Sequence, residues 1–230
     1  MTRYDHYLAS LRKIALVVGA FFIVAFCLGF GFSKNLLVIF LKIFNLTNIQ
    51  MTVTSPLQVF NLSANTGFLV AIVITLPVVV FLLARFVLPA LNKGERRLVA
   101  TYSFLALVLF FVGFIFGVLL MKFVIFTFAD LLYGTRIGNY WDIQVFISQV
   151  LITATMLGLV FEFPIVLAVL VKVGILELEM LISKRPYIFA CAIIFVALLP
   201  PTDVLSMVAM VVPLVLLFEI TIFCLKKTRR

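Results

Sequence analysis

Long stretches without a single charge constrain this chain more than any other feature. Residues 14–33 contain no Asp, Glu, Lys or Arg, and the same holds for 98–121 and 187–199. Uncharged runs of about 20 residues match the hydrocarbon thickness of a bilayer. Composition agrees, since 65% of the 230 residues are hydrophobic and 12% charged, against about 45–50% and a quarter in soluble domains. A water-soluble globule is excluded. The chain reads as an all-α integral membrane protein.

The apolar runs divide residues 1–230 into a single six-span membrane domain, with spans at about 14–33, 66–88, 98–121, 143–171, 187–199 and 204–225. Arg12 and Lys13 precede the first run as the n-region of a secretory signal would, but a signal h-region has about 7–15 residues, so this run is a retained span. Gly113 and Gly117 form a small-xxx-small pair that lets a neighbouring helix approach. Pro164 lies inside the fourth span, where its missing N–H predicts a kink or tilt. The fifth span is short for a bilayer and stops at Pro200 and Pro201.

Orientation follows from the cations. The six-span topology places Arg3, Arg12, Lys13, Arg85, Lys93, Arg96, Arg97, Lys172, Lys184, Arg185, Lys226, Lys227, Arg229 and Arg230 on one side. Only Lys34, Lys42, Lys122 and Arg136 fall on the other, so both termini are expected in the cytoplasm. The net charge of +9 then needs no nucleic-acid partner, and the basic tail is expected to touch anionic headgroups. Tyr133, Tyr140 and Trp141 stand in the outer connector before span four, as an interfacial aromatic belt would. Residues 34–65 form the longest outer connector and read as a short interfacial helix followed by a cap. His6 reads as a solvated terminal residue.

Cys27, Cys191 and Cys224 lie in apolar stretches with no CxxC or Cys/His spacing, which points to buried thiols and to neither a metal site nor a disulfide framework. With no nucleophile, base or metal constellation either, the chain is expected to be no enzyme and to need no cofactor.

A few polar residues stand out. Glu162, two positions before Pro164, is costly inside a bilayer and thus marks function by default; alternatively its protonated form donates to a carbonyl freed by Pro164. Glu219 reads as a packing or snorkelling residue, and Asp203 as a cap for span six. In Asn92-Lys93-Gly94-Glu95-Arg96-Arg97, Glu95 is either one half of a local ion pair or the acceptor for a cationic ligand, because a carboxylate can hold a guanidinium through two hydrogen bonds.

Taken in order, Pro89-Ala90-Leu91, Glu95-Arg96-Arg97, Phe161-Glu162-Phe163-Pro164, Lys184-Arg185-Pro186-Tyr187, Pro200 to Asp203, Pro213 and Phe218-Glu219-Ile220 resemble TatC, the multispanning subunit of the twin-arginine protein translocase. The resemblance covers nearly the whole chain. It implies a glove-like concave arrangement with short fifth and sixth helices, in the cytoplasmic (inner) membrane of a prokaryote. It also implies a signal-peptide receptor and assembly core that exports folded proteins using the proton motive force. Twin-arginine signal peptides, single-span TatA and TatB type subunits and other copies of the chain would be its partners.

By the same resemblance, Glu95 would recognise the arginine pair with Phe86 beside it. Glu162 would face the concave side, and Glu162, Pro164, Asp203 and Glu219 would serve as intramembrane polar or partner contacts. The family's N-terminal motif, approximately His-Leu-x-Glu-Leu-Arg, aligns with Tyr7-Leu8-Ala9-Ser10-Leu11-Arg12. Ser10 thus stands in place of a glutamate beside Leu11 and Arg12, and Asp5, about one helical turn away, is the nearest substitute. Gln58 likewise replaces a glutamate in Pro56-Leu57-Gln58, and Leu199 and Met207 replace a usual Thr and Gln. A small secondary transporter or proton channel using Glu162 is the alternative.

Overall fold

A computed structural model of the chain describes residues 3–44, 50–87, 93–131, 140–172 and 174–228; for 3–11, 50–51, 83–87, 93–100 and 228 it describes the backbone alone. The helices are α1 (Arg3–Gly31), α2 (Ser33–Phe44), α3 (Pro56–Val87), α4 (Lys93–Leu131), α5 (Ile143–Phe161), α6 (Phe163–Lys172), α7 (Leu178–Ser183), α8 (Arg185–Ala197) and α9 (Val204–Thr228). Two three-residue strands, β1 (Gln50–Thr52) and β2 (Tyr140–Asp142), pair in parallel. Among the described residues five stretches are long and apolar enough to cross a membrane: Arg12–Gly31, Pro56–Leu82, Thr101–Leu131, Ile143–Lys172 and Val204–Lys227. The shorter apolar helix α8 has 13 residues, a rise of about 20 Å. The chain groups into two compact units.

The first unit holds residues 1–91 and 125–151. Here α1 and α3 cross at glycines: a Cβ on Gly67 would lie 3.0 Å from the backbone nitrogen of Phe30, and one on Gly29 would lie 2.7 Å from Cβ of Val70. Only hydrogen at both positions allows that approach. The helix α3 starts at Pro56, ten residues before the apolar run that marks it in the sequence. Pro56 suits the first helical position because its missing N–H would be unpaired there anyway. Two polar residues of these added turns find partners, with Ser33 Oγ donating to Ser63 Oγ at 3.0 Å and Asn65 Nδ2 to Ser148 Oγ at 2.8 Å. The helix α2 is seated by Phe44, fully buried, whose ring meets that of Phe146 edge-on at 5.3 Å.

The second unit holds residues 92–124 and 152–230. Gly117 and Gly113 bring α4 onto α5, where a Cβ at Gly117 would stand 2.6 Å from Cα of Ala154 and one at Gly113 2.6 Å from the Phe161 ring. The core here is Leu120, Val124, Leu157, Phe161, Val196, Leu199, Met210 and Leu214. The buried Thr153 hydroxyl donates to the Pro200 carbonyl and so ties α5 to the turn between α8 and α9.

The fourth apolar run is broken at Glu162, not at Pro164. The helix ends at Phe161 and restarts at Phe163, so Pro164 falls in a first turn, where a proline costs no hydrogen bond. The Glu162 carbonyl accepts from the N–H groups of Ile165 and Val166 at 3.0 and 3.1 Å.

The cysteines overturn an expectation, because Cys27, Cys191 and Cys224 are exposed on the protein surface and none is in a disulfide. Spanning helices present apolar side chains to lipid as well as to each other, so an apolar neighbourhood in the sequence does not imply burial.

Candidate functional site

The break at Glu162 opens onto a groove of about 600 Å³ in the second unit. Glu162, Phe163 and Pro164 line one wall, Tyr187, Cys191 and Phe195 of α8 another, and Leu214 and Phe218 of α9 complete it. The lining is almost wholly apolar, with the Glu162 carboxylate as its charged group. Glu162 Oε1 is buried and has no hydrogen-bond partner in the protein. Donation from this oxygen to a carbonyl freed by Pro164 is therefore absent.

Both ends of the α8–α9 pair are tied by polar contacts. At one end Asp203 caps α9: its Oδ2 accepts the Ser206 N–H at 2.8 Å and its Oδ1 the Ser206 hydroxyl at 2.6 Å, the N-cap geometry of an aspartate one residue before the helix. At the other, Arg185 Nη2 lies 3.2 Å from Glu219 Oε2, joining α8 to α9. Packing alone does not describe Glu219. Its partner could have been sought in the sequence as the cation opening the short apolar run 187–199, opposite the carboxylate of the next run.

In the first unit a second constellation forms at the start of α5. Asp142 Oδ1 accepts the N–H groups of Gln144 and Val145 at 2.9 and 3.1 Å. Gln58 Nε2 donates to Asp142 Oδ2 at 2.5 Å and to Thr54 Oγ1 at 2.7 Å, while Gln58 Oε1 accepts the Thr54 N–H at 2.8 Å. The Val145 N–H above all holds the Asp142 carboxyl below the usual aspartate range; desolvation, the next largest effect, opposes it, and Gln58, Gln144 and Thr54 add to the lowering. The sequence singles out Gln58 but carries no signal for Asp142, which lies 84 residues away.

The residues proposed to read a signal peptide fall on both units. Asp5, Ser10, Leu11 and Arg12 belong to α1 and Phe86 to the last turn of α3, whereas Glu95 belongs to the first turn of α4. Arg12 is exposed; the side chains of Asp5, Ser10, Leu11, Phe86 and Glu95 lie outside the described residues, as do Pro89, Asn92 and Tyr133 altogether. Among the described residues no group of three or more His, Cys, Asp or Glu side chains converges as metal ligands would.

Five long apolar helices among the described residues, one broken at a half-buried carboxylate, define a multi-pass membrane protein of the all-α class. The profile of the family described as Sec-independent protein translocase protein (TatC) matches residues 6–213. TatCy of Bacillus subtilis (strain 168) is 30% identical over 234 residues, covering 100% of this chain and 91% of that protein. TatC of Escherichia coli (strain K12) is 32% identical over 177 residues, covering 77% and 67%. A crystal structure of the twin-arginine translocase receptor TatC in DDM superposes with a TM-score of 0.82 at 29% identity, covering 95% of this chain and 98% of that one. The chain belongs to the TatC family and is a component of a Sec-independent protein translocase.

Proposed function

We propose that the chain is the signal-peptide receptor and assembly core of a twin-arginine translocase, acting in the cytoplasmic membrane with six spans, both termini inside and α8 as the short fifth span. The observation that carries this reading is the likeness along nearly the whole chain to a solved structure named as a twin-arginine translocase receptor. Glu95 supplies a two-oxygen acceptor for a guanidinium, with Phe86, Arg12, Leu11, Ser10 and Asp5 completing the peptide site. The groove at Glu162, Pro164 and Phe218 receives the single-span TatA and TatB type subunits, Asp203 and Glu219 holding its α9 wall in place. Further copies of the chain assemble around it, lipid surrounds it, and export of folded cargo draws on the proton motive force through the assembled complex. No catalytic step and no cofactor are required of this chain.

The test is binding of a fluorescent twin-arginine signal peptide to the full chain in lipid nanodiscs, compared with the same peptide carrying two lysines. Tight binding lost with the lysine pair is the expected result, because lysine cannot reproduce the planar two-point contact. Equal or absent binding of both peptides overturns the receptor role.

The unpartnered Glu162 oxygen favours one second reading, a proton channel or small secondary transporter. Proton flux through proteoliposomes holding this protein alone decides it: conduction supports the channel, and tight vesicles remove it.

A further inference from the structure

Residues 95 and 102 are seven apart on α4, two turns along, and therefore share a face of that helix. Tyr102 is half-buried, and the Lys172 ammonium lies 5.3 Å from the centre of its ring. The same ring packs on the cluster of Ala168 from α6, Leu178 from α7 and Leu225 from α9. Three helices thus converge on one aromatic side chain of α4, two turns below Glu95.

Lys172 is the last residue of α6. The first residue of that helix follows Glu162 directly, so α6 is a strut of ten residues, about 15 Å long, running from the groove to the Tyr102 ring. A lysine at a helix C-terminus is favoured by the helix dipole, but it needs no aromatic partner for that and could extend freely into water. Its place over the ring adds a directional contact between the end of α6 and α4, worth more than apolar packing alone because the ring face attracts the cation.

The geometry points to Tyr102 and Lys172 as positioning residues for signal-peptide recognition: together they seat the first turns of α4, and Glu95 with them, on the strut whose other end carries Glu162. One rigid element then sets both the presentation of Glu95 and the wall of the partner groove. The inference rests on the reading of Glu95 as the acceptor for the arginine pair.

The test uses the full chain in nanodiscs of zwitterionic and anionic phospholipid, titrated with the twin-arginine peptide and its lysine counterpart. Tyr102→Leu keeps apolar bulk and removes the ring; Lys172→Met keeps the stem and removes the charge; Tyr102→Phe keeps the contact. Each of the first two should weaken twin-arginine binding by about two- to five-fold, the double variant no further, with Tyr102→Phe at the wild-type value and unfolding midpoints unchanged. A purely structural role would instead give additive losses that track the midpoints, and that result overturns the inference. Wild-type affinity in both Tyr102→Leu and Lys172→Met overturns it too, and if Glu95→Gln abolishes binding in the same assay the receptor reading survives alone. Should Glu95→Gln bind normally, the inference falls with the reading of Glu95 as the acceptor, while the receptor role stands or falls on the twin-arginine and lysine peptides compared on the wild-type chain. If Tyr102→Leu does not fold, Lys172→Met decides.

Discussion

Arg185 reaches from the first residue of α8 to Glu219 in the body of α9, with Nη2 and Oε2 3.2 Å apart. The two strings that carry the family resemblance near the C-terminus are therefore halves of one contact. Both side chains keep about a third of their surface exposed, and Arg185 Nε is buried without a partner, so the pair aligns helices more than it stores energy.

A double-mutant cycle of Arg185→Gln and Glu219→Gln should return a coupling of about 0.5–1 kcal/mol in thermal unfolding of the detergent-solubilised protein. Coupling near zero would mean that the side chains meet without holding the helices together.

The Asp142 constellation responds to acid with a definite sign. A carboxyl depressed in the folded state adds stability that is complete above its unfolded value, about 3.9, and is lost as pH falls through the lower folded value. Trp141 adjoins Asp142 in β2, so its fluorescence should stay constant from pH 8 to 5 and change only below about pH 4. Gln58→Glu sets a second carboxyl against the first and should move that change to higher pH; an unmoved transition would show that Gln58 does not sense Asp142.

Two glycines of similar helical setting should answer oppositely to alanine. At Gly117 a Cβ meets the Ala154 backbone at 2.6 Å, which cannot swing aside, and Gly117→Ala should cost about 1–3 kcal/mol. Nothing lies within 4 Å of a Cβ at Gly19, so Gly19→Ala should be neutral or stabilise by up to about 1 kcal/mol. Unfolding of both variants in one detergent checks the contrast.

Glu95→Gln should weaken twin-arginine peptide binding about ten-fold or more, since it removes a charge-assisted acceptor, while leaving the unfolding midpoint in place. Unchanged affinity would return Glu95 to a local ion pair with Arg96 or Arg97.

Glu162→Ala should leave peptide binding intact and impair recruitment of the single-span subunits, read by co-purification and by export of a folded reporter. Normal export by this variant would make Glu162 a structural residue of the helix break.

Much of the site chemistry is local and was therefore legible. Asp203 caps the helix that follows it, and Glu162 and Pro164 mark an interruption of the fourth apolar run, because caps and breaks depend on neighbours a few residues away. The place of the break differed from the expectation, since a proline is tolerated in a first turn and the chain uses that freedom at Glu162. The start of α3 differs from the expectation for a related reason: Ser63 and Asn65 look like connector residues until Ser33 and Ser148 supply partners.

The sequence by itself determined the class of protein, since charge-free runs of bilayer length have no other stable solvent, and an expected orientation, since cations are unevenly shared between the two sides. Only the tertiary structure decided which faces pack. It paired Arg185 with Glu219, Gln58 with Asp142 and Lys172 with Tyr102, and it turned all three cysteines outward. The physical reason is the membrane itself. In water an apolar stripe marks the buried face of a helix, but a helix that is apolar all round carries no such stripe, because lipid accepts the same side chains as the protein interior. Which residues meet is then set by shape, by glycines such as Gly117 and by scattered polar pairs, whose partners come from distant parts of the chain.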